Sequence, residues 1–174
     1  MTDPRAYAAA ETAKNGLRLA IRALHDSDRE RVAAAVRGLD RESIYLRLFS
    51  YRGELTEAAL DRIMRFDATG EVVLVATIGG GADERVIGSA RYIVGAPGVA
   101  EVAFMVEEDF HGQGVAGLLL RHLARVARSQ GIHTFEADVL AENKAMQFVF
   151  ARTGWHVQSR RDGGSVHITM SLPR

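Results

Sequence analysis

An α/β domain with one mixed, mostly antiparallel central sheet of about seven strands flanked by helices is the fold class this sequence predicts. Three observations carry it. Apolar residues switch between period-two and helical spacing along the chain. Between residues 72 and 106, three β-rich segments are separated by short glycine turns, the pattern of an antiparallel meander. After the meander come helix, strand and helix, and then two strands around Asp162-Gly163-Gly164, a hairpin turn.

The elements follow in order. Residues 1–16 are Ala-rich with mixed charges and read as a flexible, partly helical N-terminal extension ahead of one domain over 17–174. Leu17, Leu19, Ile21 and Ala23 alternate with Arg18 and Arg22 as a first strand. His25-Asp26-Ser27-Asp28 is rich in N-cap residues and opens a helix over 29–39; Ser43 opens a second over 44–49; Thr56 caps a third with Leu60, Ile63 and Met64 at helical spacing. Val72 to Ile78 is nearly all apolar, as a strand buried on both faces requires. Strands over 85–94 and 99–106 complete the meander. A glycine-bearing loop, 107–117, leads into a helix whose apolar residues Leu118, Leu119, Leu123 and Val126 run toward Gly131, a C′ glycine. A strand over 134–140, a helix over 143–152 and strands over 155–161 and 166–172 finish the chain.

Composition narrows the function classes. Lys plus Arg number 22 and Asp plus Glu number 22 in 174 residues, so no global field draws the protein to nucleic acid or anionic membrane. With no Cys there are no disulfides, thiolate metal sites or cysteine nucleophiles. The 6 His show no metal-ligand spacing, so no metal is expected. No apolar run approaches the ~20 residues of a spanning helix, and no signal-peptide core opens the chain; the expected location is cytoplasmic. His122 reads as surface or core filler, Trp155 as core, and Arg160-Arg161 as solvated charge.

The loop Val106-Glu107-Glu108-Asp109-Phe110-His111-Gly112-Gln113-Gly114-Val115-Ala116-Gly117 joins a strand to a long helix. A helix N-terminus presents unpaired N–H groups and a positive dipole end, which suits a phosphate. Glycine lets the backbone approach phosphate oxygens, and Gly112 and Gly114 are the candidates. The same loop contains Gly-x-Gly-x-x-Gly with Glu136 and Asp138 downstream, a dinucleotide fingerprint. Five residues separate Val106 from Gly112, however, three of them are acids, and too little chain follows Asp138 for a doubly wound sheet. A plain strand-to-helix turn is the remaining alternative.

This loop resembles the signature of the GNAT N-acetyltransferases: a strand ending in Val, an acidic stretch, then Gln/Arg-x-x-Gly-x-Gly/Ala. Gly114 and Ala116 match its last positions, and His111 stands where Gln or Arg is usual. Asn143 matches the Asn that opens the family's penultimate helix, and Gly154-Trp155 its Gly-Phe ending. The similarity spans about residues 17 to 172. Ser43 to Ser50, Glu54-Leu55-Thr56, Ala100 to Phe104 and Asn143 to Met146 further resemble the catalytic domain of bacterial protein-lysine acetyltransferases, which often carry an additional regulatory domain. If the chain belongs with that group, the expectation from its 174 residues is a free-standing catalytic domain.

The resemblance implies acetyl-CoA as co-substrate. Its pyrophosphate would lie on His111, Gly112, Gln113, Gly114, Val115, Ala116 and Gly117, and its pantetheine arm along Phe104, Met105 and Val106, with Asn143 facing it. A bulge at 104–106 would supply N–H donors for the oxyanion. Lysine, with a pKa near ~10.4, must lose a proton before attack. Glu101 matches the group's general base, and partial burial would raise its pKa. The position where many family members carry a proton-donating Tyr holds Phe150. Tyr45, Tyr51 and Tyr92 read as structural. The favoured acceptor is a protein lysine; the alternatives are a small-molecule amine or a non-catalytic acetyl-CoA sensor. Glu42, Glu54, Glu57 and Asp61 are balanced by bases and do not decide among them. Family members frequently form homodimers, but no interface stripe stands out.

Overall fold

The computed structural model describes residues 3–38, 56–67, 69–107 and 110–174. Among them the chain forms β1 (Ala8–Thr12), β2 (Arg18–Ala23), α1 (Arg29–Arg37), α2 (Glu57–Ile63), β3 (Glu71–Ile78), β4 (Arg85–Val94), β5 (Val99–Val106), α3 (Val115–Ser129), β6 (Thr134–Leu140), α4 (Lys144–Ala151), β7 (His156–Asp162) and β8 (Ser165–Ser171). The helix expected over 44–49, with Tyr45 and Tyr51, lies outside the described residues, as do Glu42, Glu54, Glu108 and Asp109.

One sheet of eight strands runs β1-β2-β3-β4-β5-β6-β8-β7. Only β5 and β6 are parallel; all other neighbours are antiparallel. The additional strand is β1, which corrects the expectation of a flexible extension over 1–16. Ala8 to Thr12 pair with Arg22 to Arg18 along the sheet edge. Alanine is the strongest helix former, but propensity is a weak prior and backbone pairing to β2 overrides it. Its small side chains hide the period-two signal.

Helices cover the two faces differently. Against α3 and α4 the sheet packs Ile21, Leu74, Ile87, Tyr92, Phe135 and Met170. Against α1 and α2 it packs Val73, Val75, Val86 and Met105. Tyr92 is a core residue, its phenol pushed up to about 12 by burial. Thr56 caps α2 by accepting the Ala59 N–H at 3.0 Å.

A buried ion network ties the start of α1 to the sheet. Arg22 donates to both carboxylate oxygens of Asp28 at 2.8 Å and to Glu84 at 3.0 Å, and Arg31 reaches Asp28 at 3.2 Å. Burial alone would raise the Asp28 pKa. The Arg22 hydrogen bonds and the His25 backbone N–H outweigh it and hold the carboxyl below the usual range. On the same side, buried Arg91 crosses from β4 to the end of α2, donating to the Arg62 and Ile63 carbonyls and to Glu71. Glu57 and Asp61 both pair with Arg29, at 2.7 Å each.

Candidate active site

The site begins where two strands part. β5 pairs with β6 only through Val99–Thr134, Ala100–Phe135 and Glu101–Glu136. On its other side β5 stays with β4 through Val106, opposite Gly88. The Glu107 N–H donates to Ile87 O at 2.8 Å. Antiparallel alternation then turns the backbone groups of the odd-numbered residues toward β4 and those of Phe104 and Val106 toward the gap. The expected bulge at 104–106 is not there: the pairing with β4 is regular, and the one irregularity in the meander falls between Ala76 and Thr77 of β3. Free backbone donors arise from strand divergence instead.

The loop closes the end of this gap. Phe110 N–H donates to Glu107 O at 2.9 Å, and His111 Nε2 meets Val106 O at 2.7 Å. A carbonyl only accepts, so Nε2 carries the proton in this bond. Glu107 turns away from the loop, buried, with its carboxylate 2.6 Å from Arg85. Gly112 and Gly114 have φ of 80° and 85°, a region that disfavours any side chain. Gly114 is the N-cap of α3, and no side chain caps that helix. Its Leu118 N–H is the first to meet a carbonyl, Gly114 O at 3.0 Å, so the preceding N–H groups stay available to an anion.

A cavity of about 730 Å³ occupies the space. Its lining includes Phe104, Met105, Val106, His111, Gly112, Gln113, Gly114, Val115, Ala116, Gly117 and Asn143. Asn143 is the N-cap of α4, its side chain accepting the Met146 N–H at 3.2 Å. Phe150, fully buried, is outside the lining and backs Phe104 from the core, edge to face at 5.8 Å, with no proton to give. Three lining cations escaped the sequence reading: Lys14 before β2, Arg121 on α3 and Arg152 after α4. No carboxylate belongs to the described lining. Nothing in their spacing marks these bases; only the topology collects them. The charge fits a ligand with several phosphates.

Glu101 is not in the lining. It is exposed, which corrects the expected partial burial, and stands in register with Ile93 and Glu136. Alternation along β5 puts it on the face of Ala103 and Met105, the side that α1 and α2 cover. Phe104 lies three residues on, roughly 10 Å along the strand. The strand gap therefore separates a carboxylate on one face from the cavity on the other.

His122 is no filler. Buried on α3, it bonds Tyr7 Oη through Nδ1 at 2.5 Å and Glu11 through Nε2 at 2.6 Å, pinning β1 to α3. Arg160 and Arg161 are exposed on β7, and Trp155 packs half-buried against the main core. Among the described residues no group of three or more acids and histidines is placed to hold a metal, and no helix is long and apolar enough to cross a membrane.

Splayed parallel strands, an uncapped helix behind a glycine loop and a lining that is basic and free of carboxylates among the described residues make a site suited to a ligand with several phosphates. Comparison with known proteins makes the class specific. A sequence model of the acetyltransferase (GNAT) family matches residues 40–155. An acetyltransferase of Pseudomonas aeruginosa is 31% identical over 149 residues, covering 83% of this chain and 78% of that protein. The acetyltransferase Pat of Mycolicibacterium smegmatis is 34% identical over 134 residues, 76% of this chain but 39% of its own length. The crystal structure of the GNAT domain of S. lividans PAT superposes with a TM-score of 0.84 at 33% identity, covering 95% of this chain and 97% of that one. A cAMP-binding acyltransferase from Mycobacterium smegmatis superposes at 0.67 with 26% identity, and this chain spans 48% of it. The chain belongs to the GNAT acetyltransferase family. It is an N-acetyltransferase of a family whose enzymes use acetyl-CoA as co-substrate.

Proposed function

We propose that this chain transfers acetyl from acetyl-CoA to the side-chain amine of a protein lysine, in the cytoplasm. The observation that carries the reading is the aperture between β5 and β6, with cations and free helix N–H groups on one face and Glu101 on the other. The phosphates fit the lining of 111–117, and the pantetheine arm fits beside Phe104 and Val106, adding to the strand edge where β6 has left it. A lysine approaching from the opposite face meets Glu101, which accepts its proton directly or through one water. The neutral nitrogen attacks the thioester carbon, the C–S bond breaks, the nitrogen gives its second proton to solvent, and the thiolate takes a proton from solvent, because Phe150 supplies none. Backbone N–H groups at the gap stabilise the oxyanion. The similarity to Pat and to S. lividans PAT supports the lysine acceptor.

One observation favours a second reading. Glu101 stands outside the cavity lining and Phe150 occupies the position of the usual proton-donating Tyr, as in an acetyl-CoA sensor without turnover. Thermal unfolding with acetyl-CoA, followed by thiol release with lysine-bearing proteins and small amines, separates these readings. At 100 times its dissociation constant the ligand stabilises by ~2.7 kcal/mol, a rise of roughly 5–10 °C for a chain of this size. The rise is expected to vanish in Gly112→Asp/Gly114→Asp. Binding without thiol release on any amine favours the sensor. Release with small amines alone moves the acceptor to that class.

A further inference from the structure

The matched family region begins at residue 40, yet part of the cavity wall comes from a segment well before it. Lys14 sits on the turn between β1 and β2, and two contacts lay that turn on the glycine loop. The Lys14 N–H donates to Gln113 O at 3.2 Å. The side chain runs along Gly114, so that a methyl group on that glycine would meet Lys14 Cγ at 3.7 Å and Cε at 3.4 Å. The turn itself is braced by the Ala13 N–H on Leu17 O at 2.8 Å. Behind it, Glu11 and Tyr7 hold His122 of α3 from both ring nitrogens, so β1 and the helix keep a fixed relation.

This brings an ammonium, one bond beyond Cε, to the positive end of the α3 dipole. A cation there is unfavourable on its own. No ion pair with a described residue offsets it. The arrangement makes physical sense when an anion lies between the ammonium and the helix N–H groups. Arg121 lines the same cavity from about two turns further along α3.

We infer that Lys14 is a co-substrate-binding residue that clamps the pyrophosphate of CoA against the N-terminus of α3, an inference that rests on the cavity being the acetyl-CoA site. The test is calorimetric titration of wild type, Lys14→Met and Lys14→Arg with CoA and with dephospho-CoA, which lacks the 3′-phosphate but keeps the pyrophosphate. Lys14→Met is expected to weaken both ligands by the same factor, about 10-fold. The gap to wild type should narrow as salt is raised. Lys14→Arg keeps the charge and should retain most of the affinity, which separates the ammonium's role from any loss of fold. Equal CoA affinity in wild type and Lys14→Met overturns the inference. So does a loss seen with CoA and absent with dephospho-CoA, which would put Lys14 on the 3′-phosphate. If wild type itself binds neither ligand, the reading of the cavity falls as well.

Discussion

From Val99 to Glu101, β5 is hydrogen-bonded to a strand on either side; from Val102 to Val106 it keeps only β4. The first half is ordinary sheet and carries the one side chain proposed for proton transfer. The second half offers backbone, and its neighbours are a glycine loop and a helix end. On the proposed reading, the difference lets one strand serve two reactants. A paired backbone can only present side chains, while a half-paired one still has donors and acceptors to give. Divergence from β6 does here what a bulge was expected to do, and it needs no irregular residue.

Substitutions in the two halves should therefore fail in different ways. Phe150→Ala removes the ring packed behind Phe104 in the open half. It should cost about 3–5 kcal/mol of stability through the cavity it leaves, measured as a shift of the urea midpoint at constant slope, and should loosen acetyl-CoA binding with it. An unchanged midpoint would show that Phe150 is not packed on Phe104. Glu101→Gln touches only the closed half. Turnover should fall by about 10²-fold, equivalent to ~2.7 kcal/mol, with the acetyl-CoA thermal shift intact. Full activity on a verified acceptor would remove Glu101 from the mechanism.

The Asp28 network lies away from both halves and provides a control. Its carboxyl is held below the ordinary value near ~3.9. The stabilisation it gives is complete above the unfolded-state value and is lost as pH falls through the folded one. Denaturant midpoints should therefore be steady from pH 7 to about 5 and drop in stronger acid, and Asp28→Asn should flatten that drop. Arg160→Ala and Arg161→Ala are exposed on β7 and should change stability by less than about 0.5 kcal/mol. A larger fall in turnover with a protein acceptor than with a small amine would assign them to acceptor docking.

Periodicity and turn residues were enough to read β2 to β8 and the described helices, because strongly apolar stripes such as Val72 to Ile78 and Leu118 to Val126 leave little choice of structure. The glycine loop was legible for a local reason, since a left-handed φ at Gly114 is a demand that a single residue meets, whereas Asn143 was picked out by the family resemblance, and the structure shows it as the N-cap of α4. The β1 strand was not legible, since Ala8, Ala9 and Ala10 have no apolar contrast and their conformation comes from Arg22, Ile21 and Ala20 across the pairing. His122 was misread because its partners are 111 and 115 residues away in sequence.

Sequence by itself determined the order of elements from β2 onward, the glycine loop ahead of α3, the absence of cysteine chemistry and the family resemblance, all of which depend on residues close together along the chain. Tertiary structure alone decided that β5 and β6 part after Glu101, that Glu101 and the cavity lie on opposite faces of the gap, and that Lys14, Arg121 and Arg152 meet around one volume. The physical reason is that strand pairing and charge convergence are set by contacts between distant segments, and no local period or propensity encodes them.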